Sequence, residues 1–115
     1  MLLLVLVYAC SKDEDVVSNP SSEPQKVFIY SVVSTPTDSE SITIKNNSGS
    51  TQDLSGWTLG DKNDPTAYNI PNGTVLSNGS TKHFSRTTLG FQINDSGETI
   101  YLKNSSGSNV DTWSN

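Results

Sequence analysis

The chain has one cysteine, Cys10, one methionine and one histidine, His83. A single thiol cannot close an internal disulfide, so no disulfide framework staples this fold. Strong helix formers are scarce: beyond the first ten residues the only alanine is Ala67. That shortage argues against a helical bundle. No cluster of Lys and Arg appears, nor any interleaving of basic with aromatic residues, and the net charge is −5. Nucleic acid is therefore excluded as the expected partner. After residue 10 no apolar run approaches the roughly 20 residues of a membrane-spanning helix. No cofactor motif is present, and no cofactor is expected.

What is present is polar and turn-rich. In residues 11–115, Ser, Thr, Asn and Gly make up nearly half, and the apolar set only about a quarter. At 115 residues the chain is one domain with short appendages. The expected class is all-β, closed on few apolar residues that alternate correctly. Its expected stability is marginal, about 5–10 kcal/mol.

The first ten residues, "MLLLVLVYAC", are apolar. Leu2 to Ala9 is too short to span a bilayer but fits the core of a signal peptide. The ending "VYAC", Val7 to Cys10, resembles the lipobox of bacterial lipoproteins. In such a box the small residue, here Ala9, admits the signal peptidase. The cysteine thiol accepts a diacylglyceryl group, and its freed amine can be acylated. Several chains together give durable anchoring that one chain does not. Cys10 is therefore the expected lipidation site, and the membrane the expected partner through that lipid. The alternative is a buried N-terminal strand with an incidental cysteine. Nothing basic precedes Leu2, unlike an ordinary signal peptide; a start codon upstream of Met1 would account for that.

"SKDED" follows Cys10 directly. Lys12, Asp13, Glu14 and Asp15 resemble the acidic export signal that sends some lipoproteins to the outer face of the outer membrane. The alternative is a solvated spacer. "VVSNPSSEPQ", Val16 to Gln25, has two prolines and no periodicity, and reads as a tether. The expected organisation is a signal peptide over 1–9, a lipidated cysteine with an acidic flexible tether over 10–25, and a folded domain over 26–115.

Within the domain, "KVFIYSVVS" (Lys26 to Ser34) is β-branched and aromatic and predicts a strand. "SITIKN" alternates Ile42 and Ile44 inward with Thr43 and Lys45 outward. "LSGWTLGD" sets Leu54, Trp57 and Leu59 around Gly56, which predicts a bulge or a close backbone approach there, with Trp57 in the core. "AYNI" and "TKHFSR" are short strand candidates, and two Asn-Gly pairs in "PNGTVLSNGS" predict turns. "GFQINDSGETIYLKN" reads as strand, turn, strand, with Ile100 and Leu102 on one face and Tyr101 and Lys103 on the other. A last turn and strand close the chain. The total is about seven to nine short strands, an immunoglobulin-like β-sandwich.

These segments, in order, carry a resemblance. "SITIKNNSGSTQDLSGWTLGD" resembles the first half of the lamin tail domain, "YNIPNGTVLSNGS" its middle, and "GFQINDSGETIYLKNSSGSNVDTW" its end. The resemblance implies an immunoglobulin-like sandwich without shared catalytic residues. It also implies a setting among bacterial secreted or surface proteins, as well as nuclear lamins. Ser31 stands near the place where an acidic residue often follows the first hydrophobic pair in that family.

Candidate sites divide into bland and functional readings. His83, as a general base, would need a nucleophile and an orienting acid; its alternation with Phe84 instead predicts a solvent-facing strand position. Asp53, Asp61 and Asp64 could offer oxygen ligands to calcium, but no spacing like an EF-hand loop is present, and turn aspartates are the plainer reading. Five Asn-x-Ser/Thr sequons, at Asn46, Asn72, Asn78, Asn94 and Asn104, read as turn composition and not as glycan sites. Trp113 is either a core or edge residue or an exposed contact residue. The expected function is a non-catalytic binding or adhesion module on a lipid-anchored, surface-facing outer membrane protein, with an envelope protein or glycan as partner. The alternatives are an accessory subunit docking to an envelope complex and, further off, a hydrolase.

Overall fold

The structure, a computed structural model, describes residues 26–115. The predicted signal peptide, Cys10, the acidic run Lys12 to Asp15 and the tether lie outside the described residues. The elements are β1 (Val27–Val33), β2 (Ser41–Asn46), β3 (Gln52–Asp53), β4 (Thr58–Asp61), β5 (Tyr68–Asn69), β6 (Val75–Leu76), β7 (Thr81–Ser85), a short helix α1 (Arg86–Leu89), β8 (Thr99–Lys103) and β9 (Asn109–Ser114). All pairings among the described strands are antiparallel: β9-β8-β4-β5 in one sheet, β1-β2-β7 in a second, and β3-β6 as a small ribbon. This is the all-β, immunoglobulin-like sandwich that the alternation predicts.

The core follows the period of two. Ile42 and Ile44 of β2, Leu59 of β4, and Ile100 and Leu102 of β8 have no exposed surface. Phe84, Ile70, Ile93 and Leu54 join them. Thr43, Lys45, Tyr101 and Lys103 alternate outward, as read from the sequence. The register of β1 against β2 runs from Val27 opposite Asn46 to Val33 opposite Ser41, with a bulge between Ile29 and Ser31. The bulge re-aims Tyr30, which is 51% exposed.

The structure corrects four expectations. Phe91 to Asn94 is not a strand. Its backbone donors go to side chains: Ile93 N–H donates to Glu40 Oε1 at 2.8 Å and Asn94 N–H to Glu98 Oε2 at 3.0 Å. Strand β7 ends at Ser85, whose hydroxyl caps α1 by accepting the Thr88 N–H, so Arg86 belongs to the helix. Gly56 forms a left-handed turn, φ 77°, and the close backbone approach lies instead at Gly60. A Cβ there would sit 2.1 Å from the Asp64 carbonyl oxygen. Trp57 is half-buried rather than enclosed. It falls at the turn before β4, so its indole covers the rim of the core while Leu54 and Leu59 fill the interior.

Polar side chains close the ends of the sandwich. Asn46 is fully buried; its Nδ2 donates to the carbonyls of Ser50 (2.8 Å) and Leu76 (2.7 Å), and its Oδ1 accepts from Ser48 N–H and Oγ–H. Asp111 pairs opposite Leu102 and so points toward the core side of β9. It accepts the Ile29 N–H at 2.8 Å and lies 3.2 Å from Lys26 Nζ, which also donates to the Val110 carbonyl. The two sheets are thereby stapled at the β1–β9 seam.

Candidate functional site

Two surfaces gather groups suited to recognition. The first is the outer face of β1-β2-β7. Directly opposed residues of an antiparallel pair share a face, so Phe28 and Lys45, Thr43 and His83, and Lys45 and Thr81 lie together there. The Phe28 and Tyr30 rings meet edge to face with centroids 6.1 Å apart, and Lys45 Nζ stands 5.2 Å over the Tyr30 ring. Val33, 36% exposed, extends the same face. A cation over a ring is worth about 0.5–1 kcal/mol at exposed sites, and it holds the phenol in place. Stacking on the ring's free side and hydrogen bonding to its hydroxyl remain open to a partner.

The second surface is a groove of about 380 Å³ lined by Arg86, Thr87, Gly90, Phe91 and Gln92. Gly90 ends α1 in the left-handed region, φ 77°, with its N–H donating to the Arg86 carbonyl. That turn doubles the chain back so that Phe91 and Gln92 come beside the helix. Phe91 packs on the core. Arg86 is paired with the buried Glu40, 3% exposed, whose Oε1 lies 3.7 Å from Arg86 Nε.

The residues singled out from sequence are not brought into one site. His83 is exposed, and its Nδ1 meets the Thr43 hydroxyl at 3.1 Å; this is a cross-strand contact, and among the described residues no carboxylate is seen orienting the ring. Asp53 accepts both the Ser55 N–H (3.0 Å) and Ser55 Oγ–H (2.6 Å). Those two bonds, the hydroxyl's first, hold its carboxyl below the ordinary value of 3.8. Asp61 Oδ1 accepts the N–H groups of Asn63 and Asp64. Both carboxylates serve their own turns. The sequons behave likewise: Asn46 is buried, Asn78 Oδ1 accepts the Gly49 N–H, and Asn104 Oδ1 those of Ser106 and Ser108. Trp113 is half-buried and packs on the core from the edge strand β9. Tyr30, Phe91 and Arg86 went unmarked in the sequence. An aromatic at a strand bulge or just past a helix-ending glycine has no periodic signature.

Antiparallel strands in two face-packed sheets, with recognition groups on an outer face and an end loop, define an immunoglobulin-like sandwich that presents surfaces. The Lamin Tail Domain family model matches residues 20–115, and the chain belongs to that family. The lamin tail domain is an immunoglobulin-like fold not known as catalytic. No curated protein matches the chain.

Proposed function

We propose that this is a lipid-anchored envelope protein whose lamin tail domain is a non-catalytic binding module displayed at the cell surface. The observation that carries the binding half is the Phe28–Tyr30–Lys45 face, where a half-exposed tyrosine is held in place by a bulge and a cation. Such pre-ordered aromatics lose little entropy on contact. The "VYAC" ending and the "SKDED" run support the anchored, surface-facing half. The partner is a protein or glycan of the envelope.

One experiment addresses both halves. Cells expressing the full chain with a C-terminal epitope tag are fed an alkynyl fatty acid and then crosslinked. The wild type takes up label and yields crosslinked adducts. Cys10→Ala takes up none. Tyr30→Ser keeps label and surface staining but loses the adducts. Equal labelling of Cys10→Ala removes the anchor; undiminished adducts with Tyr30→Ser remove the binding face.

A further inference from the structure

The groove beside α1 differs in chemistry from the sheet face, and its assignment does not depend on the anchor. Its volume of about 380 Å³ falls within the range of small-ligand pockets, about 300–1,000 Å³. Phe91 supplies an apolar wall fixed by the core behind it. Arg86, Thr87 and Gln92 supply hydrogen-bonding groups around that wall.

The charge balance selects among ligands. Arg86 is the one formal charge in the lining, and its Nε stands 3.7 Å from the buried Glu40 carboxylate. A buried carboxylate needs compensation. Glu40 receives it from the Ile93 N–H and from Arg86, so Arg86 brings donors to the groove without a net positive charge. A phosphate or carboxylate ligand would compete with Glu40 for the same guanidinium while approaching a buried negative charge. An uncharged polyol meets no such conflict. Its hydroxyls can exchange hydrogen bonds with Arg86, Thr87 and Gln92, and its C–H face can lie on Phe91.

We propose that the groove formed by Arg86, Thr87, Gly90, Phe91 and Gln92 is a binding site for a short uncharged saccharide. Its place in the fold suits display. Ser85, where α1 begins, pairs with Ser41, and Ser41 with Val33. This end of the sheet is opposite the end where Lys26 enters β1. At about 3.3 Å per residue the seven-residue strand sets the two ends roughly 20 Å apart.

The test is a ¹H–¹⁵N NMR titration of the full chain in detergent micelles. The neutral probes are maltotriose, lactose and N,N′-diacetylchitobiose; the anionic probes are 3′-sialyllactose and inorganic phosphate. At least one neutral probe should shift the 86–92 amides saturably, with Kd on the order of 1 mM. Phe91→Ala should weaken that binding tenfold or more, and Phe91→Tyr should keep it. Because Phe91 also packs on the core, Gln92→Ala, at an exposed position, provides a second variant and should weaken binding several-fold. Three results overturn the assignment: no neutral probe shifts these amides, the anionic probes alone shift them, or affinity is unchanged in Gln92→Ala.

Discussion

Asp53 and Asp111 show how differently two aspartates work in one small domain. Asp53 is exposed and its carboxyl is held low by Ser55. A depressed folded pKa contributes stability that is present above the unfolded value, about 3.9, and is lost as pH falls through the folded one. The Ser55 contacts should therefore matter at neutral pH and fade in acid. A carboxyl-detected NMR titration should place Asp53 below an ordinary aspartate, and Ser55→Ala should move it back up. Asp111 is half-buried and bridges two sheets. Asp111→Ala leaves the Ile29 N–H without its acceptor and removes the ion pair with Lys26, which keeps the Val110 carbonyl, at a cost of about 2–3 kcal/mol. Asp111→Asn, which keeps an amide oxygen for Ile29, should cost less. Urea melts of the two variants check the order. The turn role of Asp53 was the plain reading of the sequence, since its partner Ser55 is two residues away; that of Asp111 was not visible, because a cross-sheet hydrogen bond has no local spacing.

At the scale of elements, the alternating strands and the Asn-Gly turns were readable, whereas the two-residue strands β3 and β6 and the 90–98 connection were not. "SITIKN" and "TIYLK" alternate cleanly, and Ile42, Ile44, Ile100 and Leu102 are all enclosed. Period-two patterning survives because one face of each strand is buried. The 90–98 connection defeated the same reading. Phe91 and Ile93 alternate as a strand would, yet their segment is held by Glu40 and Glu98, whose buried carboxylates take the places of strand partners. The groove inherits that illegibility, since Phe91 and Gln92 belong to this segment. Two substitutions test the elements. Gly60→Ala would press a methyl into the Asp64–Pro65 backbone and should cost about 3 kcal/mol. Trp57→Ala removes a half-buried rim residue and should fall near the lower end of the roughly 3–5 kcal/mol range for large aromatics. Equilibrium denaturation resolves both; a loss under about 1 kcal/mol at Trp57 would place its indole off the core.

Over the whole molecule, the class of fold was legible because alternation, Asn-Gly turns and scarce helix formers agree. The proposed recognition surfaces were not, because the bulge at Tyr30 arises from strand pairing and the four-residue helix capped by Gly90 is too short to show a helical period. The proposed surface display makes its own claim. Replacing Asp13, Glu14 and Asp15 with Ala keeps spacer length and removes three negative charges. If sorting machinery reads those charges, antibody staining of a C-terminal tag on intact cells should fall; a mere spacer would leave it unchanged.

The opposition of Lys26 and the groove also has a mechanical meaning. A chain held at Lys26 and pulled through a ligand at Arg86–Gln92 is loaded nearly along its strands. The hydrogen bonds between β1 and β2, registered from Val27–Asn46 to Val33–Ser41, then bear the force side by side in shear, whereas a pull across the sheet would break them one after another. The Asp111 contacts to Lys26 and Ile29 lie where that force enters, so they act as a clasp at the loaded end. The same domain pulled from Lys26 against β9, across the β1–β9 seam, should yield at a lower force.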